Sequence, residues 1–191
     1  MATNSIDRQQ WVLAALEEYE VRLMRFAERL LEDEHAARDV VQHTFLKLCD
    51  ESPEDLSGRL ALWLFTVCRN KAVDWIRQRR HIQFNSEFDQ AGAEDPASEI
   101  EANELHTLLR ALVDQLPANL REVVELWAQG FHYREIAQIT DRTEAHVRLL
   151  NHRALSRLRQ HPTTLAIVGD HPGHSAVPHE NTEDYDVFKV A

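Results

Sequence analysis

Glycine and proline are scarce in this 191-residue chain, with five Gly and six Pro. No internal repeat or low-complexity tract is visible. Beside 43% apolar and 28% charged residues, that scarcity points to an ordered and mostly helical protein. No apolar run approaches the length that a membrane-spanning helix needs. The start "MATNSIDRQQ" has no basic residues followed by an apolar run, so a signal peptide is not expected and a cytoplasmic protein is. Cys49 and Cys68 are the two cysteines and have no CxxC spacing, which favours buried reduced thiols over a disulfide. No nucleophile–base pair and no glycine-rich phosphate loop can be found, and no cofactor is implied. An enzyme is therefore not expected.

What is present is charge, unevenly spread. The net charge of −11 argues at first against a nucleic-acid partner. Its distribution argues the other way. Between 63 and 81, Arg69, Lys71, Arg77, Arg79 and Arg80 stand against Asp74 alone, a local +4. Between 142 and 160, Arg142, Arg148, Arg153, Arg157 and Arg159 stand against Glu144, again +4. Between 85 and 106 there are seven acids and no Lys or Arg. Two basic islands in an acidic chain suit a protein that touches a polyanion at two places. Each could equally be a solvated helix face.

Apolar spacing sets the organisation. Val12, Leu16, Tyr19, Leu23, Phe26 and Leu30 recur at steps of three and four, predicting an amphipathic helix over 10–32. A second helix is predicted over 35–50, with Ala37, Val40, Val41, Thr44, Phe45 and Leu48 inward. "ESPEDLSG" then breaks the pattern. A third, over 59–80, turns Leu62, Leu64, Phe65, Cys68, Ala72, Trp75 and Ile76 to one side. Thr66, Asn70, Lys71, Asp74 and Arg77 fall on the other, with Trp63 among them. An aromatic in polar and basic company is a candidate for base stacking, or else a ring covered by a neighbouring loop. "NSEFDQAGAEDPASE" reads as a linker. Helical patterning resumes near 99 with Leu105, Leu108, Leu109, Leu112 and Leu116. Pro117 then opens a further helix and Gly130 ends it. After Pro162 the pattern fails, leaving a loosely ordered acidic tail.

The stretch "YREIAQITDRTEAHVRLLNHRAL", 133–155, carries two helical patterns interrupted by polar residues. A helix over 133–139, a turn at Thr140-Asp141-Arg142 and a second helix make a helix-turn-helix. Asp141 stands where glycine is usual, and Asp tolerates a left-handed turn. Thr143 is the predicted N-cap, with Glu144 favourable beside it at the positive end of the helix. On the second helix, Val147, Leu150, Ala154 and Leu158 share one face. Arg148, Leu149, His152, Arg153, Ser156 and Arg159 share the opposite arc. In such motifs the second helix enters the major groove, where Arg reads guanine and apolar groups meet the thymine methyl. A helical hairpin with a charged outer face is the competing interpretation.

These residues carry a family resemblance. "LPANLREVVELWAQGFHYREIAQITDRTEAHVRLLNHRALSRLR" (116–159) resembles region 4 of bacterial sigma factors, the promoter-specificity subunits of RNA polymerase. "ARDVVQHTFLKL" (37–48) resembles their region 2.2, and "WLFTVCRNKAVDWIRQRR" (63–80) resembles regions 2.3 to 2.4. Two such domains and a short linker resemble the extracytoplasmic-function group. The resemblance implies an all-α chain of two small helical domains: a region 2-like domain over 1–84, a flexible acidic linker over 85–98, a region 4-like domain over 99–160, and a flexible tail over 161–191. It implies that Asp39, Gln42 and Phe45 border the surface that docks on the coiled coil of the largest subunit of core RNA polymerase. It places Trp63, Asn70, Lys71 and Arg77 on minus-10 DNA, with Asn70 where the family contacts a flipped-out base. It places Thr143, Arg148, Leu149, His152 and Arg153 facing the minus-35 promoter DNA. An anti-sigma factor is a further implied partner. The chain departs from the family pattern at Thr140, Asp141 and Arg142, around the turn. It departs again in the acidic "ESPEDLSGRLAL", which has no aromatic where the family engages an extruded base. The resemblance therefore carries no promoter sequence with it.

Two other classes compete. A stand-alone helix-turn-helix regulator would explain the C-terminal half but not "ARDVVQHTF". A metal-dependent enzyme would have to use His171, His174 and His179, whose spacing matches no strong site.

Overall fold

In a computed structural model, residues 2–85 and 104–164 are described. Among these residues seven helices follow in order: α1 (Ala2–Leu31), α2 (Glu34–Leu48), α3 (Leu60–Asn85), α4 (Glu104–Asp114), α5 (Ala118–Ala128), α6 (Tyr133–Thr140) and α7 (Glu144–Gln160). No strand occurs among the described residues, and the fold is all-α. The helices divide between two compact units, the first holding α1–α3 and the second holding α4, α5 and α7. The predicted linker beyond Asn85 and the predicted tail beyond 164 lie outside the described residues, as do His171, His174 and His179. No described helix is long and apolar enough to cross a membrane.

In the first unit each helix packs on the other two. Its centre is made of Leu23, Phe26, Val40, Leu48, Leu64 and Phe65, all fully buried. The Phe26 and Phe65 rings meet at 5.3 Å and tilt by 53°, a geometry that aromatic quadrupoles favour. Asp33 starts α2 by accepting the Ala36 N–H at 3.0 Å. All six residues predicted to face inward on α2 are buried, Thr44 among them because its hydroxyl donates to the Val40 carbonyl at 2.9 Å. Helix α1 begins well before the predicted position 10, and Arg8 on that added stretch donates to the Glu51 carbonyl. The thiols divide: Cys68 is buried as expected, but Cys49 is exposed because it lies just past the end of α2. Neither is in a disulfide.

In the second unit α5 packs on α7 and α4 packs on α5. Pro117 stands at the N-cap position of α5 without a side-chain hydrogen bond, and Gly130 ends the helix at φ +93°, a conformation that glycine adopts without strain. The Gly130 N–H donates to the Trp127 carbonyl and the Phe131 N–H to Leu126, at 2.9 and 3.2 Å. This paired closure satisfies carbonyls that the last turn leaves free, and it buries Phe131 and Leu126.

Candidate nucleic-acid interface

The turn between α6 and α7 is built from specific bonds. At the start of α6 the His132 N–H donates to the Glu135 carboxylate at 2.8 Å. At its end Asp141 adopts φ +53°, the left-handed conformation predicted for it, and the Arg142 N–H donates to the Ala137 carbonyl at 3.0 Å. Thr143 then caps α7, its hydroxyl oxygen accepting the His146 N–H at 3.3 Å. Arg142 does not belong to the open basic island. Its guanidinium turns inward and lies 2.8 Å from the carboxylate of Glu122, a buried residue of α5. Such a pair is weak evidence of stability, but it ties the turn to α5.

Helix α7 then sorts as its spacing predicts. Val147, Leu150 and Ala154 are buried and Leu158 is half-buried. Thr143, Arg148, Leu149, His152, Arg153 and Arg159 are exposed, with Leu149 an open apolar residue at 45%, whereas Ser156 of the predicted outward arc is half-buried. Arg148 is held from two sides. Its Nε and Nη2 donate to Glu144 Oε1 at 3.2 and 2.6 Å, and its guanidinium carbon sits 5.1 Å over the Tyr133 ring. The sequence reading missed Asn151, which is 1% exposed and donates from Nδ2 to the Tyr133 hydroxyl at 3.0 Å. Spacing could have found it, since 151 falls between 147 and 154 on the inward face.

In the first unit, Trp63, Thr66, Asn70, Asp74 and Arg77 form a stripe along α3 at steps of three and four. Asn70 and Arg77 are exposed, whereas Trp63 and Lys71 are half-buried. Thr66 turns its hydroxyl back on the Leu62 carbonyl at 2.7 Å. The first basic island is partly neutralised within the unit. Arg77 pairs loosely with Asp74 at 3.7 Å, and Arg79 reaches the α2 cap Asp33 at 3.4 Å while lying over the Trp75 ring. Both pairs are substantially exposed, so they yield easily to a stronger anion.

On α2, Asp39 and Gln42 are exposed, but Phe45 is 7% exposed and belongs to the core. Six positions from Asp39 is 240° around the helix, which turns Phe45 toward the side of Val41 and Leu48. Position 46, seven from Asp39, returns to the open stripe, and Leu46 is 61% exposed there. Leu46 is the residue that the sequence reading overlooked. Among the described residues, no three His, Cys, Asp or Glu side chains group as metal ligands.

The family described as Sigma-70 region 2 matches residues 15–82, and that described as Sigma-70 region 4 matches residues 106–158. The ECF RNA polymerase sigma factor SigL of Mycobacterium tuberculosis is 32% identical over 152 residues, covering 76% of this chain and 85% of the relative. The chain belongs to the ECF RNA polymerase sigma factors. Its function is accordingly that of a sigma factor directing transcription initiation, and the stand-alone regulator is not favoured. The ECF sigma factor SigM of Bacillus subtilis is 27% identical, over 71% of this chain and 85% of the relative. A solved structure of the sigma factor RpoE with the anti-sigma factor NepR, from Bartonella quintana, aligns with a TM-score of 0.62 and 28% identity. That alignment covers 81% of this sigma factor and 95% of RpoE. The region 2 match covers α2 and most of α1 and α3, and the region 4 match takes in α5, α6 and α7 as far as Leu158.

Proposed function

We propose that this ECF sigma factor divides promoter recognition between its two units. The observation that carries the reading is the open arc of α7. There Arg148, Leu149, His152 and Arg153 stand exposed beyond a capped and tightly closed turn. Placed in the major groove of the minus-35 element, Arg148 and Arg153 have the donors for guanine and Leu149 has the apolar surface for a thymine methyl. Thr143 brings the N-terminus of α7, with its free N–H groups, toward the phosphates. In the first unit Trp63, Asn70 and Arg77 of the α3 stripe, with Lys71 beside it, engage minus-10 DNA. Capturing an unstacked base there offsets the cost of opening the duplex, and no catalytic group is required. The protein acts as a non-enzymatic specificity factor in the cytoplasm.

Core polymerase docks on the stripe of Asp39, Gln42 and Leu46, against the coiled coil of its largest subunit. Phe45 supports that stripe from beneath. A net charge of −11 limits DNA binding by the sigma factor alone and leaves promoter engagement to the holoenzyme. RpoE, the structural relative, was solved with an anti-sigma factor, and this chain is proposed to have one as well.

Two double variants test the division. Asp39→Arg with Gln42→Ala is expected to abolish retention of core polymerase while helix content stays normal. Arg148→Ala with Arg153→Ala is expected to keep core retention and lose promoter discrimination, by about 1–3 kcal/mol for each bidentate base contact removed. Loss of both activities in both variants would contradict separate surfaces.

A further inference from the structure

Arg148 does not wave freely from α7. A long cation has many rotamers, and ordering it at the moment of binding costs entropy. Here much of that order exists beforehand. The Tyr133 ring lies 5.1 Å beneath the guanidinium, and Glu144 holds its Nε and Nη2. Nη1 has no partner among the described residues and is free to reach outward. Tyr133 is in turn fixed by Asn151, whose Nδ2 donates to its hydroxyl. Asn151 is 1% exposed, and its Oδ1 is buried with no hydrogen-bond partner. An orphaned buried acceptor is costly, and an apolar side chain at 151 would avoid it. Among the described residues the one bond that the amide makes goes to the Tyr133 hydroxyl.

We infer that Tyr133 and Asn151 are positioning residues for promoter specificity: Asn151 pins the Tyr133 ring, and the ring aims Arg148 at its base without either residue touching DNA. The inference rests on the reading of Arg148 as a base-contacting residue. When DNA arrives, the guanidinium exchanges Glu144 for the base edge while staying over the same aromatic face. Tyr133 therefore acts on one base-pair position, the one that Arg148 reads.

The test uses holoenzyme reconstituted from core RNA polymerase and the full chain. Its probe is a promoter library randomised through the minus-35 element, with bound sequences counted against input. Arg148→Ala identifies the position it reads by flattening the preference there. Tyr133→Leu is expected to relax that same position about two- to fivefold, the range of an exposed cation–π contact, and to leave the others unchanged. Tyr133→Phe keeps the ring and is expected to retain more of the preference, and Asn151→Leu, which removes the same hydrogen bond, is expected to match it. In an Arg148→Ala background Tyr133→Leu is expected to add nothing. Uniform loss across all positions, additive effects in the double variant, or an unchanged preference in Tyr133→Leu or Asn151→Leu would each overturn the inference. If Arg148→Ala itself flattens no position, the base-contact reading fails first and is identified as the failure.

Discussion

The turn that sets α7 at its angle depends on a backbone conformation that its residue does not prefer. Asp141 sits at φ +53°, where L residues other than Asn and Asp are rare. A left-handed conformation costs an L residue roughly 1–2 kcal/mol, and a short polar side chain places Asp at the low end. Asp141→Gly removes that cost but gives the unfolded chain more freedom, which takes back roughly 0.4–1 kcal/mol. The net is a gain of about 0.5 kcal/mol. Asp141→Val moves the other way, because branching at Cβ makes a positive φ a true outlier, and the loss relative to Gly is about 2 kcal/mol. Hydrogen exchange of the Arg142 amide reads the change where it acts, since that N–H closes the turn on the Ala137 carbonyl at 3.0 Å. In the full chain, exchange at that amide is expected to slow about twofold in Asp141→Gly and to run roughly thirtyfold faster in Asp141→Val than in Asp141→Gly. Equal protection in the Val and Gly variants would refute the argument that the left-handed residue shapes this turn.

Three other outcomes follow from the first unit. Phe65→Ala empties a fully buried site against Phe26 and is expected to cost about 3–5 kcal/mol, read as a lower urea midpoint. Burial pushes the Cys68 thiol up to about 12, only partly offset by the Thr44 hydroxyl, while Cys49 is exposed. One fast thiol is therefore expected with an aromatic disulfide reagent at pH 8, lost in Cys49→Ser, with the second appearing only in denaturant. Burial, then Lys71 and Lys47, hold the His43 imidazole below its ordinary 6.5. The unfolded chain then binds the proton first, so His43 contributes stability above about pH 6.5 that is lost as pH falls below it. His43→Gln is expected to lose less urea resistance than wild type between pH 7.5 and 5.5, and a larger loss would contradict the sign.

Much of this was legible in the chain itself, because the decisive signals are local. The inward residues of α2 and the two faces of α7 follow from helical period alone, and the Asp141 turn and Thr143 cap follow from backbone chemistry. What escaped depends on contacts far along the chain or on finer angles. Phe45 follows the inward period, so the docking role that the resemblance gave it conflicts with its burial, and Leu46 beside it takes the open side of α2. Arg142 counted as a surface cation because nothing near it in sequence reveals Glu122 on α5. Asn151 was passed over for its polarity, although spacing puts it on the inward face, and its half-buried partner Tyr133 lies 18 residues away.

The most direct measurement is transcription by purified core RNA polymerase with this protein added, with start sites mapped across a genomic template. Discrete start sites that appear only with the protein, and that disappear with Asp39→Arg and Gln42→Ala, are expected. Failure of the wild-type protein to retain core polymerase, with start sites unchanged by its addition, would contradict the account at its centre.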